Sequence, residues 1–218
     1  DKDTIPADKG VFLNVTRRLN NKICNYISSS FYDSRLTSDP ITETRSVNLK
    51  LDPIKNEGLF YVPIEHSGCS QRSDEEADLV EKTYNKIINK EFKDGESIGK
   101  ISAKDIMVVA PYNAQANNIR ERLKKEYDDV RVGTIDLFQG QEAKVVLISM
   151  STSDVESLPR HKDFFFSRNR LNVAISRAQC VAIIIFNEKL LLASTNSIEE
   201  MKLMNNFCKL LKFKTNYK

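Results

Sequence analysis

VVLISM (residues 145–150) and VAIIIF (residues 181–186) decide how this chain folds. Both are uncharged and almost wholly apolar, with no alternation of apolar and polar positions. A strand with one wet face alternates; an unbroken apolar run suits a strand covered on both faces, as in a parallel sheet. LFYVPI (59–64), IMVVA (106–110) and VRVGT (130–134) are further apolar or β-branched runs.

Helical periods lie between the runs. A helix over about 20–31 would bury Ile23, Tyr26, Ile27 and Phe31. Residues 73–92 open with Ser73 and Glu76 at capping-box spacing, then place Ala77, Val80, Tyr84, Ile87 and Ile88 on one side. Residues 113–127 do the same with Ala116, Ile119, Leu123 and Tyr127, and residues 197–212 with Met201, Met204, Cys208 and Leu211. RNRLNVAISRAQC (168–180) carries an apolar stripe of Leu171, Ala174, Ile175 and Ala178. Its Arg170 and Arg177 fall on another face, two turns apart. Strands alternating with helices predict one doubly wound α/β domain over 1–218, with a mainly parallel sheet. Residues 33–57 and 151–168 read as long connections, the first on the surface and the second polar, then abruptly aromatic.

Composition narrows the function classes. With 218 residues, 40% hydrophobic and 29% charged, the chain is globular, and its net charge of +3 permits a nucleic-acid partner without demanding one. Cys24, Cys69, Cys180 and Cys208 form no CxxC pair, which predicts reduced thiols in a cytoplasmic protein and neither a disulfide framework nor a zinc site. No apolar run approaches ~18 residues, so no membrane association is expected. The polar opening DKDTIPADKG, without an initiator Met, is expected of a piece of a longer protein.

In a doubly wound sheet ligands bind beyond the carboxyl ends of the strands. There stand Pro111-Tyr112-Asn113-Ala114-Gln115, Thr134-Ile135-Asp136 and Asn187, followed by the turn DLFQGQE (136–142). Amides, hydroxyls and an aromatic dominate, whereas metal or hydrolytic sites need clustered His, Cys and carboxylates. His66 and His161 are expected in surface loops, so no metal site is predicted. GxSxG, HExxH and GxxxxGK[ST] are all absent, so the chain has no phosphate-cradling loop of its own. Arg17, Arg18 and Arg177 suit bidentate phosphate recognition, but spacing alone favours surface ion pairs.

Longer motifs shift that balance. VGTIDLFQGQEAKVVLISM followed by FFFSRNRLNVAISRAQ closely resembles motifs V and VI of superfamily 1 helicases, in the branch of the nonsense-mediated-decay RNA helicase and the replication helicase–nucleases. IMVVAPYNAQANNIRERL, TRRLNNKICNYISSSFYDSRL and HSGCSQRSDEEA resemble further segments of that branch, in family order from about residue 11 to about 195. The resemblance implies a second RecA-like motor domain. ATP would lie between it and a first RecA-like domain, absent here, which would supply the P-loop Lys and the Mg²⁺ ligands. By motif match Arg18 and Arg177 would reach the γ-phosphate, and Glu142, with Gly140 and Gln141, the ribose and phosphate side. Arg17 stands where relatives carry an aromatic near the adenine. Tyr112, Asn113, Gln115 and Thr134 would hold a single strand, with DNA preferred over RNA and movement 5′ to 3′. RRLNN lacks the family's His-Pro, Gln179 replaces a usual cation, and Arg170 keeps a structural reading. The alternative is a non-catalytic nucleic-acid-binding or regulatory module on the same fold.

Overall fold

The computed structural model describes residues 9–154, 168–193 and 197–215. In chain order its elements begin with β1 (Val15–Thr16), α1 (Asn21–Phe31), β2 (Thr37–Ser38), β3 (Ser46–Val47), β4 (Gly58–Pro63) and α2 (Asp74–Ile87). Then follow β5 (Glu91–Asp94), β6 (Ser97–Lys100), β7 (Ile106–Val109), α3 (Asn113–Leu123) and β8 (Arg131–Gly133). The last are β9 (Ala143–Ser149), α4 (Arg168–Ile175), β10 (Ala178–Phe186) and α5 (Ile198–Cys208). Five strands form the central sheet in the order β4-β10-β9-β7-β8, every neighbouring pair parallel. The doubly wound parallel sheet expected from the apolar runs is therefore what this chain forms.

The reason is visible along β10. Val181, Ile183 and Ile185 enter one core, and Ala182, Ile184 and Phe186 enter the other; all six are fully buried. β9 divides likewise, with Val145 and Leu147 on one side and Val146 and Ile148 on the other. Each fully buried aliphatic contributes ~1.5–3 kcal/mol, so a polar residue on either face would be costly. Helices α2 and α3 cover one face, while α1, α4 and α5 cover the other. Asn20 anchors α1 by accepting from the Ile23 N–H at 3.0 Å and donating to the Cys180 carbonyl at 2.5 Å.

Several expectations need correction. Residues 33–57 are not a mere surface connection: Val47 and Leu49 are fully buried, Leu51 and Ile54 nearly so. β3 pairs with the β5–β6 hairpin as a three-stranded antiparallel sheet that packs on the α2 side. The hairpin turns at Gly95-Glu96, where Gly95 takes φ +62°. Accordingly α2 stops at Ile87 rather than 92, and Asn89 reverses the chain at φ +62°. α3 ends at Leu123, although Tyr127 still packs on Tyr84 at 5.2 Å between ring centroids. In the last helical segment Phe207 and Leu210 are buried while Met201 and Leu211 are exposed, so the buried stripe is rotated from the one expected. Of the connection 151–168, Ser151, Thr152 and Ser153 are buried, and 155–167 lie outside the described residues.

Lys144 at the start of β9 joins the two sheets. Its Nζ lies 2.5 Å from Asp105 Oδ1 and 3.9 Å from the Phe92 ring centroid. Burial pushes the Asp105 carboxyl up, but hydrogen bonds from Lys144 and Ser102 outweigh it and hold the group below its ordinary value. A carboxylate depressed in the fold stabilises above its unfolded value of ~3.9, and that stabilisation is lost as pH falls through the folded value. Asp105→Asn is thus expected to lower stability at neutral pH. In urea titrations its deficit should shrink as the pH falls below ~4; a deficit independent of pH would contradict the charge pairing.

Candidate functional site

Two polar clusters occupy opposite ends of the central sheet. At the amino ends, Glu142 immediately precedes β9 and Arg177 immediately precedes β10. The pairing of Ala143 with Ala178 sets them side by side, with the Ala143 N–H donating to the Arg177 carbonyl at 3.0 Å. Arg177 thus lies just past α4, not within its helix. Arg18, on the approach to α1, donates through Nε to Glu142 Oε2 at 2.8 Å and through a terminal nitrogen to the Ser176 carbonyl at 3.3 Å. Gln179 donates to the other Glu142 oxygen at 2.7 Å. The Gln179 amide therefore completes the carboxylate's partners.

Arg177 differs from Arg18 in having no ion pair among the described residues. One terminal nitrogen donates to the Gln141 carbonyl at 3.2 Å, while Nε is buried and, among the described residues, has no partner. Burial, and then the nearby Arg18 charge, push its guanidinium down from the ordinary arginine value. Desolvated cations are costly unless an anion joins them. Gly140 makes the adjoining turn possible at φ +77°, and Arg131 holds Gln141 Oε1 at 2.9 Å. Arg17 lines the same ~590 Å³ cavity as Arg18 and Glu142, but its side chain is 85% exposed and pairs with Asp39 at 3.1 Å. An exposed pair of this kind contributes little.

At the carboxyl ends a cavity of about 380 Å³ is lined by Gln71, Tyr112, Asn113, Thr134, Asp136 and Arg170, among others. Tyr112 is half-buried, and burial pushes its hydroxyl up. Asn113 opens α3, whose first-turn N–H groups and positive dipole end favour an anion. Gln115 does not share this wall. It is fully buried, accepting from the Ser73 N–H at 2.9 Å and donating to the Ser73 carbonyl and Ser149 Oγ, each at 3.0 Å. It fixes the start of α2 against α3 and β9, behind the cavity. Arg170, read from the sequence as structural, lines the cavity instead. Only the tertiary structure shows this, because its neighbours come from the ends of β7 and β8.

Two connections join the clusters. The segment from Thr134 to Glu142 returns from one end of the sheet to the other through a short helical turn, Ile135–Phe138. α4 does so in parallel, with Arg170 near its start and Arg177 just beyond its end; its eight residues rise ~12 Å.

His66 is also placed differently from expectation. It is buried, not on the surface, with Nε2 3.0 Å from Glu76 Oε1. Glu76 in turn accepts from Ser149 Oγ at 2.6 Å and the Ser151 N–H at 2.8 Å. Only half of the expected capping box forms: Ser73 Oγ accepts from the Glu76 N–H at 3.1 Å, but the Glu76 carboxylate serves this buried network.

The parallel sheet thus carries a cationic cluster at its amino ends and an aromatic and amide-lined cavity at its carboxyl ends. The family described as AAA domain matches residues 3–189, and the chain belongs to it. DNA polymerase alpha-associated DNA helicase A of Schizosaccharomyces pombe is 32% identical over 178 residues, covering 76% of this chain and 26% of that protein. An uncharacterized ATP-dependent helicase of Methanocaldococcus jannaschii is 29% identical, covering 82% of this chain and 27% of its own length. The chain spans about a quarter of the length of these curated relatives. Among solved structures, the complex of Arterivirus nonstructural protein 10 (helicase) with DNA is 17% identical with a TM-score of 0.34, covering 82% of this chain and 27% of that one. Among the described residues no helix is long and apolar enough to cross a membrane.

Proposed function

We propose that this chain is the second motor domain of an ATP-dependent helicase or translocase acting on single-stranded nucleic acid. The observation that carries the reading is the half-buried Arg177, which among the described residues has no partner for its Nε and stands beside Arg18 without an anion. ATP bound on a first RecA-like domain would bring its γ-phosphate to these two guanidiniums, which neutralise charge on the transferring phosphoryl group. Gly140, Gln141 and Glu142 would line the ribose and phosphate side, with Arg17 at the outer edge. This donor set fits phosphate oxygens rather than Mg²⁺, because the Glu142 carboxylate is taken up by Arg18 and Gln179. The Mg²⁺ ligands are therefore assigned to the first domain. On its own this chain should hydrolyse ATP negligibly, and steady-state turnover by it would overturn the division of labour.

Tyr112, Asn113 and Thr134 are assigned to the single strand, with Gln115 supporting them from behind. Hydroxyl and amide contacts to phosphates position a strand without reading its sequence. DNA is favoured over RNA by the DNA helicase A relative, and the four unpaired thiols suit a reducing, cytoplasmic compartment. Tyr112→Ala in the full-length protein should cost about 1–3 kcal/mol of strand affinity, or a roughly 5- to 150-fold rise in Kd. Fluorescence anisotropy with a labelled oligonucleotide measures it. Unwinding of tailed DNA and RNA duplexes tests the whole reading: nucleotide-dependent unwinding of neither, with strand binding intact, would favour the non-catalytic module.

A further inference from the structure

The loop leaving β4 and the first turn of α2 bring three unlike donors together. A ring nitrogen of His66, Cys69 Sγ and a Glu75 carboxylate oxygen all lie within 4.8 Å of one another. The His66 side chain is wholly enclosed; its Nε2 faces Glu76 Oε1, while its Nδ1, also buried, has no partner among the described residues. Glu76 already accepts from Ser149 and Ser151, so it is the acceptor and Nε2–H the donor. That tautomer leaves Nδ1 with a bare lone pair. Metal-bound histidines are held in this way, one ring N–H on a carboxylate and the other nitrogen on the ion. The remaining donors are held only by hydrogen bonds. Cys69 Sγ contacts the Ser67 carbonyl at a long 3.6 Å and the Ser73 and Ser153 hydroxyls, and the exposed Glu75 accepts from Ser73 Oγ at 3.0 Å.

We propose that His66 Nδ1, Cys69 Sγ and Glu75 bind a Zn²⁺ ion, with a fourth position open to water. Nitrogen, thiolate and carboxylate together suit this borderline-soft cation and not Mg²⁺ or Ca²⁺. Bonds of ~2.0–2.3 Å require the donors to draw closer than they now stand. Rotation of the half-exposed Cys69 and the exposed Glu75 supplies that movement, while His66 stays fixed by Glu76. On binding, Cys69 gives up its thiol proton to solvent and donates as the thiolate. The Cys69 carbonyl accepts from the Ser153 and Asp154 N–H groups at 2.8 and 2.9 Å, and Gln71 lines the cavity beyond the strand ends. A bound ion would therefore hold the edge of that cavity to the chain leaving β9.

Co²⁺ titration of the purified protein tests the site without reference to helicase activity. One equivalent should produce the thiolate-to-Co²⁺ charge-transfer band of a four-coordinate site, and added Zn²⁺ should bleach it. Cys69→Ser should abolish the band, whereas Cys208→Ser should leave it intact. Glu75→Gln should weaken Zn²⁺ binding, read by competition with a chromophoric chelator, by at least the ~10-fold that loss of an outer partner costs. Circular dichroism verifies that each variant is folded. The absence of a thiolate band in the unmodified protein, or its survival in Cys69→Ser, overturns the proposal; unchanged affinity in Glu75→Gln overturns the three-ligand set.

Discussion

Arg177→Ala in the full-length protein is expected to lower ATP turnover by ~10³–10⁵-fold while leaving most nucleotide affinity in place. The magnitude is that of an arginine acting on a transferring phosphoryl group, where charge grows most in the transition state. Nucleotide affinity should survive because the phosphate loop and Mg²⁺ ligands are assigned to the other motor domain. Stability should also survive. Arg177 makes no ion pair among the described residues, and its removal relieves both a buried, unpartnered Nε and the repulsion from Arg18. Phosphate release measures turnover, fluorescent-nucleotide titration measures affinity, and a thermal melt checks the fold. Turnover like that of the unmodified protein would sink the assignment. Arg18→Ala should differ in one respect, since it also leaves Glu142 held by Gln179 alone.

The largest loss of stability should come from a residue proposed to touch neither the nucleotide nor the strand. Glu76→Ala removes the fully buried acceptor shared by His66, Ser149 and the Ser151 N–H. Breaking such a network strands several buried polar groups at once, at a cost of ~3–5 kcal/mol. For a domain of this size each kcal/mol shifts Tm by about 2–4 °C, so a fall of roughly 6–20 °C is expected. Glu76→Gln should fall between, because one amide oxygen still accepts. Urea unfolding gives the free energy directly; a loss under ~1 kcal/mol, the range of an average substitution, would mean the network is not a structural anchor.

Legibility differed between the two sheets for a physical reason. VVLISM and VAIIIF are buried on both faces, so each residue independently reports the same environment, and no partner strand need be known. The smaller sheet has the opposite character. Val47, Leu49 and Leu51 alternate with polar residues and lie close to Pro40 and Pro53, so the segment resembled a loop. Its burial depends on the β5–β6 hairpin, which arrives more than forty residues later. α2 ran too long in the sequence reading because Ile88 continued the helical period, and nothing local weighed against it until the chain reversed at Asn89.

The same division runs through the candidate sites. Spacing alone favoured surface ion pairs for the arginines, and only the order of the longer motifs singled out Arg18, Arg177, Glu142, Tyr112 and Thr134 as candidates. The sequence by itself determined the parallel sheet and its flanking helices, since periodicity is a property of short stretches, and it nominated these residues. The tertiary structure alone decided which of them meet. It paired Arg18 with Glu142 and left Arg177 without an anion, drew Gln115 behind the cavity and Arg170 into its wall, and enclosed His66 against Glu76. Each of these depends on distances between strand ends far apart in the chain, which no local pattern encodes.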